Sequence, residues 1–335
     1  MNEGFRVDEV PLYLPAGEGE HLYLHVEKRG LSTPELISRL RDRFGLRETE
    51  LGYAGRKDAR GVTTQWISVP ARKVEPEVAD VESLGPVRLL EAKRHGNKLR
   101  LGHLKGNRFT VVVEGDVDVS LLESRAARLS EIGFANYFGA QRFGPRSESL
   151  REAERYLERR RPPRARKERF LVSVVQSALF NAWLSERVAD GLLLEALEGD
   201  VLMKPTGASF LCTDPAIDTP RVRAGEVTPA GPLYGRDMRS ASGAAMTRES
   251  RSLEHSGLTL EDLRDHPAFD AGARRPARVF PEGITVASSD VGTTLSFTLP
   301  KGSYATVFLR EWCGPRLVDA AFADGEDDMG LHRRH

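Results

Sequence analysis

GYAGRKDARGVTTQWISV, residues 52–69, sets a single carboxylate, Asp58, in a glycine-flanked basic loop directly ahead of a stretch that reads as a strand. Gly52, Gly55 and Gly61 permit tight turns and close approach of a ligand, while Arg56, Lys57 and Arg60 offer contacts to phosphate and favour an ionised Asp58. The combination suits chemistry on an anionic polymer. The same residues also fit a plainer role, with Asp58 capping a turn among solvated cations, and the local pattern leaves both open.

N-terminal to this loop, EHLYLHVEKR (20–29) alternates through Leu22, Leu24 and Val26, the period of a half-buried strand, so His21 and His25 read as solvent-facing structural histidines rather than a metal pair. A helix follows, with Ser32 or Thr33 as its cap before Pro34 and Glu35 and with Leu36, Ile37, Leu40 and Phe44 as its apolar face. C-terminal to the loop, strands are expected at 65–70, 86–92, 98–104 and 108–114, then a helix over 119–132. The order is that of an α+β protein with a mixed, mainly antiparallel sheet flanked by helices. After NYFGAQRFG (136–144) the chain turns helix-rich and charged, then loop-rich from about 203 to 250, with a helix at 258–265, which points to an inserted subdomain. Strand character resumes over 284–299, and a buried helix is expected at 303–312.

The 335 residues allow one large domain with an insertion or two domains. Lys plus Arg equals Asp plus Glu at 49 each, so any affinity for nucleic acid must come from local patches. Two distant cysteines, Cys212 and Cys313, argue against a disulfide framework or a structural zinc site. The N-terminus lacks a secretory pattern and no apolar run reaches the roughly 20 residues that span a bilayer, so a cytoplasmic protein without a membrane partner is expected. No GxxxxGKS/T loop, HExxH helix, GxSxG elbow or Rossmann fingerprint is present, which leaves a site free of nucleotide cofactor and metal, built on a carboxylate with aromatic and amide helpers.

Two basic tracts favour RNA as the partner: KRHGNKLRLGHLKGNRF (93–109) and the arginine-denser RYLERRRPPRARKERF (155–170), although either also fits an ordinary solvated face. NYFGAQRFG joins the amide of Asn136 to Tyr137, Phe138 and Phe143, residue types that hold an unstacked base by its face and its edge. Core packing is the commoner role for such aromatics, and the same ambiguity attends Tyr304 in PKGSYATVFLREW.

AGRKDARGVTTQW (54–66), LRLGHLKGNRF (99–109), NYFGAQRFG (136–144), SALFNAWLSERV (177–188) and PKGSYATVFLRE (300–311) together, in this order, resemble the TruD family of tRNA pseudouridine synthases over nearly the whole chain. GDVLM (199–203) and TPAGPLYG (228–235) look like the family's inserted TRUD domain. The resemblance implies a pseudouridine synthase core from 1–154 and 271–320 and an inserted α/β domain over 155–270 facing it across a basic cleft that tRNA enters; the residues DGEDD followed by His and Arg read as a frayed tail over 321–335, and a monomer is expected. It implies isomerisation of a tRNA uridine, uridine-13 of the D arm, without a cofactor. Asp58 takes the place of the family's catalytic aspartate, acting either by attack on C1′ or by removal of a C2′ proton. Asn136 would contact the target base, Phe138 would lie near the reacting base, Tyr304 would lie against the nucleotide where many relatives have phenylalanine, and Phe5 matches another substrate-contacting aromatic. Arg56, Lys57, Arg60 and Arg142 are the expected phosphate contacts.

Relatives carry a lysine several residues before the Phe5 position, in a segment resembling KxxPEDF, and this chain begins too late to contain it. The expectation is a start downstream of the true one, with Phe5 on a frayed end; loss of activity, or compensation by Arg56 or Arg142, is the alternative. Two further readings compete with the enzyme: a non-catalytic tRNA-binding or RNA-folding protein on the same scaffold, and an unrelated metal-free hydrolase using Asp58, which leaves the ordered motifs unexplained.

Overall fold

A computed structural model of the chain describes residues 4–59, 61–113, 117–289 and 292–315. Within them the chain forms two compact units, bounded as Met1–Ala126 with Pro281–Gly302 and Ala127–Phe280 with Ser303–His335. The expected insertion at 155–270 lies wholly inside the second unit, whereas the expected tail at 321–335 lies outside the described residues.

The first unit is built on β1 (Phe5–Pro11), β2 (His21–Arg29), α1 (Thr33–Phe44), β3 (Gly52–Tyr53), β4 (Val62–Pro70), α2 (Ala71–Val74), β5 (Val87–His95) and β6 (Leu104–Val113), with α3 (Val119–Ile132) leading out of it. In chain order the second unit then contributes β7 (Phe134–Ala135), α4 (Glu148–Leu157), α5 (Arg166–Ala189), β8 (Val201–Met203), β9 (Ser209–Leu211), α6 (Pro215–Arg223), β10 (Thr228–Leu233), α7 (Gly243–His255), α8 (Leu260–Asp265), β11 (Ala273–Pro276) and β12 (Arg278–Val279). The chain returns to the first unit for β13 (Glu282–Ser289) and β14 (Gly292–Pro300), and α9 (Ala305–Cys313) belongs to the second.

One eight-stranded sheet organises the first unit, in the order β13-β14-β6-β1-β4-β2-β5 with β3 on β4. All its pairings are antiparallel except β1 on β4. β4 is buried along nearly its whole length because it lies inside the sheet, with β1 and β2 as neighbours and helical cover on one face. That cover is α1, whose Leu36, Ile37 and Leu40 pack with Leu22, Leu24, Val26, Ile67 and Val69 in a single cluster, as helical spacing against strand alternation requires. Ser32 starts α1 with a capping box to Glu35, and Gly45 ends it in the left-handed conformation.

Several sequence expectations need correction. Phe5 is the first residue of β1, paired with Val111, rather than frayed. Residues 98–103 are a loop, not a strand, because the chain turns at Gly102 (φ 87°) while Leu99 drops its backbone N–H onto Ser68 Oγ, and only Leu104 of the expected strand is extended, as the start of β6. His21 and His25 are half-buried, and His25 stacks on Trp66 with ring centroids 4.6 Å apart. The stretch 203–250 carries α6 and α7 as well as β10.

In the second unit, β11-β10-β8-β9 form a four-stranded sheet and β12 pairs with β7. β10 packs closely on α5: a Cβ at Gly231 would stand 2.3 Å from the Trp183 ring. Along α5, Leu171, Val172, Val175 and Leu179 join Tyr156 of α4, Leu253 of α7 and Phe269 in one core. Arg187 closes the C-terminal end of α5 by a buried bidentate pair with Asp200, at 3.0 and 2.6 Å. Among the described residues no helix is long and apolar enough to cross a membrane.

Candidate active-site elements

The loop that carries Asp58 is fastened from behind. Lys28, the penultimate residue of β2, is 1% exposed, and its Nζ donates to the backbone carbonyl of Asp58 at 3.1 Å and to that of Leu31. Thr33, at the start of α1, donates its N–H to the Lys57 carbonyl (3.1 Å) and accepts the Lys57 N–H on Oγ1 (2.8 Å), while Oγ1 itself donates to Gln65 Oε1 at 2.7 Å. The Lys57 ammonium turns inward to Glu9 Oε2 at 3.0 Å and Asn107 Oδ1 at 2.7 Å, in an ion pair with side-chain exposures of 5% and 1%. It is therefore spent inside the unit, which corrects the expectation that it meets phosphate. Burial pushes the Glu9 carboxyl above the usual carboxylate range, against the pull of Lys57.

Asp58 and Arg56 are both exposed, so the loop buries its anchors and presents its carboxylate and one guanidinium. Arg60, also expected to meet phosphate, lies outside the described residues. Gly61 closes the loop at φ +73°, and a Cβ there would stand 2.2 Å from the Phe5 carbonyl oxygen. Phe5 thus sits against the return of the Asp58 loop, with its ring 6.4 Å from that of Phe109. A carboxylate on a backbone fixed by buried bonds is pre-positioned for nucleophilic or base chemistry and needs little reorganisation to act.

The second unit brings together the other expected residues. Phe138 is held by Asn181 of α5, which accepts its N–H and donates to its carbonyl, both at 2.9 Å. The Phe138 ring meets Phe180 edge-on at 5.6 Å and Tyr304 at 5.9 Å between centroids. Over it lies the guanidinium of Arg275 from β11, 4.0 Å from the ring centroid. Arg142 stands 5.8 Å from the same ring and 5.1 Å from that of Phe170, steadied by Ser177 Oγ (3.1 Å) and Ser173 Oγ (2.7 Å). Burial, opposed by the Tyr304 hydroxyl and reinforced by the like charge of Arg142, brings Arg275 down to about 10. Tyr304 is raised by burial and held back by these two cations.

Asn136 is more committed than its sequence implies. Its Nδ2 donates to the Pro276 carbonyl at 2.9 Å, and its Oδ1 accepts from Arg275 at 2.7 Å, while Arg275 also bonds its backbone carbonyl. One amide N–H and one lone pair remain beyond these bonds. Cations stacked on aromatic rings, with an amide beside them, suit an anionic ligand that carries planar bases.

Sequence reasoning passed over Lys28 and Arg275. Lys28 had a readable signal, since it continues the Leu22, Leu24, Val26 alternation and so falls on the buried face. Arg275 had none, because Arg274 and Arg275 take opposite faces of β11 and both are occupied, Arg274 by Glu249 and Arg275 by Asn136.

The mixed α+β fold, with its mainly antiparallel eight-stranded sheet in the first unit, has a counterpart among solved structures. A solved structure from Methanosarcina mazei, described as a putative tRNA pseudouridine synthase D, matches with a TM-score of 0.72 over 94% of this chain and 92% of that one, at 22% sequence identity. The family model for tRNA pseudouridine synthase D (TruD) matches residues 1–165 and 163–312. Two similar proteins are the tRNA pseudouridine synthases D of an Anaeromyxobacter species, 47% identical over 92% of this chain and 90% of that one, and of Thermus thermophilus, 44% identical over 98% and 92%. The chain belongs to the TruD family of tRNA pseudouridine synthases.

Proposed function

We propose that this protein isomerises a D-arm uridine of tRNA, uridine-13, to pseudouridine without a cofactor, using the Asp58 carboxylate as its catalytic group. The reaction breaks the bond from ribose C1′ to base N1, turns the base and joins C1′ to C5; N1 gains a proton and C5 loses one. The carboxylate assists by adding to C1′ and leaving again, or by taking the C2′ proton and returning it, and both routes use its ionised form. The observation that carries this reading is the anchoring of the loop, which leaves the Asp58 side chain exposed while its own carbonyl is bonded to a buried ammonium; the resemblance in sequence is what assigns Asp58 the family's aspartate position. Phe5, beside the return of that loop, is assigned a stacking contact. In the second unit Phe138 and Tyr304 are assigned to the nucleotide, Asn136 to the base through its remaining N–H and lone pair, and Arg142 to phosphate. Residues 155–270 are read as the family's inserted module.

The test is incubation with unmodified tRNA followed by mapping of pseudouridine, for the wild type and Asp58→Asn. The wild type forms product at the D-arm uridine. Asp58→Asn forms none, with tRNA affinity within about threefold, since a neutral isostere removes the chemistry and little binding. A wild type that binds tRNA and leaves uridine intact would support the RNA-folding reading instead.

A further inference from the structure

We infer that Lys28 is a positioning residue for the reaction: its protonated ammonium ties the backbone of Asp58 to the turn before α1 and so fixes where the carboxylate is presented. This rests on the reading of Asp58 as the catalytic group. A lysine at 1% exposure is costly to bury, and a structure tolerates it only where specific partners hold it. Here the partners are two main-chain carbonyls, Leu31 and Asp58. The lysine has little freedom to be elsewhere, because β2 is an interior strand whose Lys28 is paired with Thr63 on one side and Val87 on the other. Thr33 adds bonds to both main-chain groups of Lys57, so three backbone groups, the Lys57 N–H and the carbonyls of Lys57 and Asp58, are fastened to the segment 28–33. Among the described residues nothing holds the Asp58 side chain in this way, and it remains exposed for substrate.

The charges around the ammonium agree with this role. Burial is the largest influence and, with the like charge of Lys57, outweighs the favourable charges of Asp58 and Glu35, bringing the group down to about 8. Near neutrality Lys28 is thus protonated, and at mild alkalinity it becomes a neutral amine, whose hydrogen bonds are about half as strong as those of an ammonium.

Single-turnover rates of pseudouridine formation across about pH 6.5 to 9.5, with tRNA affinity measured in parallel, test the inference. The wild-type rate is expected to fall as pH rises through about 8 while affinity holds. Lys28→Met should lose roughly 10²-fold in rate near neutral pH, the cost of a misplacement of about 1 Å, with affinity within about threefold and no further fall near pH 8. Lys28→Arg, which stays charged, should shift the alkaline fall upward. Unfolding does not mimic these effects. The folded chain binds Lys28's proton less tightly than the unfolded chain, so this group makes the fold more stable as pH rises from about 8 toward 10.5. If Lys28→Met does not fold, the wild-type profile decides alone: a rate that stays level through about pH 9 overturns the inference. So does Lys28→Met turning over like the wild type while Asp58→Asn is dead. An active Asp58→Asn overturns the functional reading itself, and this inference with it.

Discussion

At the scale of the residue, Gly61 shows how much of the Asp58 loop is fixed by sterics rather than chemistry. Its φ of +73° costs an L-residue about 1–2 kcal/mol, and a Cβ would collide with the Phe5 carbonyl 2.2 Å away. Gly61→Ala is expected to cost at least about 2 kcal/mol, or roughly 3 °C in the melting temperature of a chain this long, and to lower activity by pushing Phe5 away from the loop. Differential scanning calorimetry beside a turnover assay checks both; an unchanged melting temperature would show that the loop relaxes without strain. The glycine was visible in the sequence as a turn residue, but its partner across the fold was not, since Phe5 and Gly61 meet only through the parallel pairing of β1 with β4. Asn136 divides in the same way. Its residue type was legible, whereas the two hydrogen bonds that occupy half of its amide depend on β11, more than a hundred residues along the chain.

At the scale of the element, the strand that carries Lys28 and the loop that carries Asp58 are joined by inward-facing polar bonds where sequence alternation foretold only hydrophobic contact. Lys57 is the clearest case: as one of three neighbouring cations it reads as surface, yet it is the buried partner of Glu9. Composition cannot distinguish a buried cation from an exposed one when both stand beside glycine in a loop. Lys57→Met strands the Glu9 carboxylate and should cost about 3–5 kcal/mol near neutral pH. Because burial already raises Glu9, its folded form holds a proton more readily than its unfolded form, so its contribution is present at low pH and lost as pH rises through the folded value. The variant should accordingly regain stability toward about pH 5, read as urea midpoints at pH 5 and 8. A penalty independent of pH would place the cost in lost packing instead. Other elements were easier to read: α1 and its cap follow from Ser32, Pro34 and Glu35 alone, while α6 escaped notice because Pro215 and Pro220 resemble loop residues.

At the scale of the whole molecule, the balance of 49 basic and 49 acidic residues hides an uneven distribution. Arg159, Arg160, Arg164 and Arg166 are exposed between α4 and the first turn of α5, although Arg161 and Lys167 of the same tract are paired with Glu168 and Glu152. Binding of tRNA should therefore weaken with salt despite zero net charge. Replacing Arg159, Arg160 and Arg164 by Gln should flatten the plot of log affinity against log salt by roughly one unit for each phosphate no longer neutralised, alike for different tRNAs. An unchanged slope would remove this tract from the interface. The sheet order carries one more consequence, for synthesis. β14 pairs with β6, and β13 closes the edge, so the first unit lacks two of its strands until residues 282–300 have been made. At about 5–20 residues per second, β6 waits roughly 10–40 s on the ribosome with an open edge, while most of the second unit emerges in between. The half of the protein that starts first finishes late, and its nascent edge is the stretch a chaperone has most reason to cover.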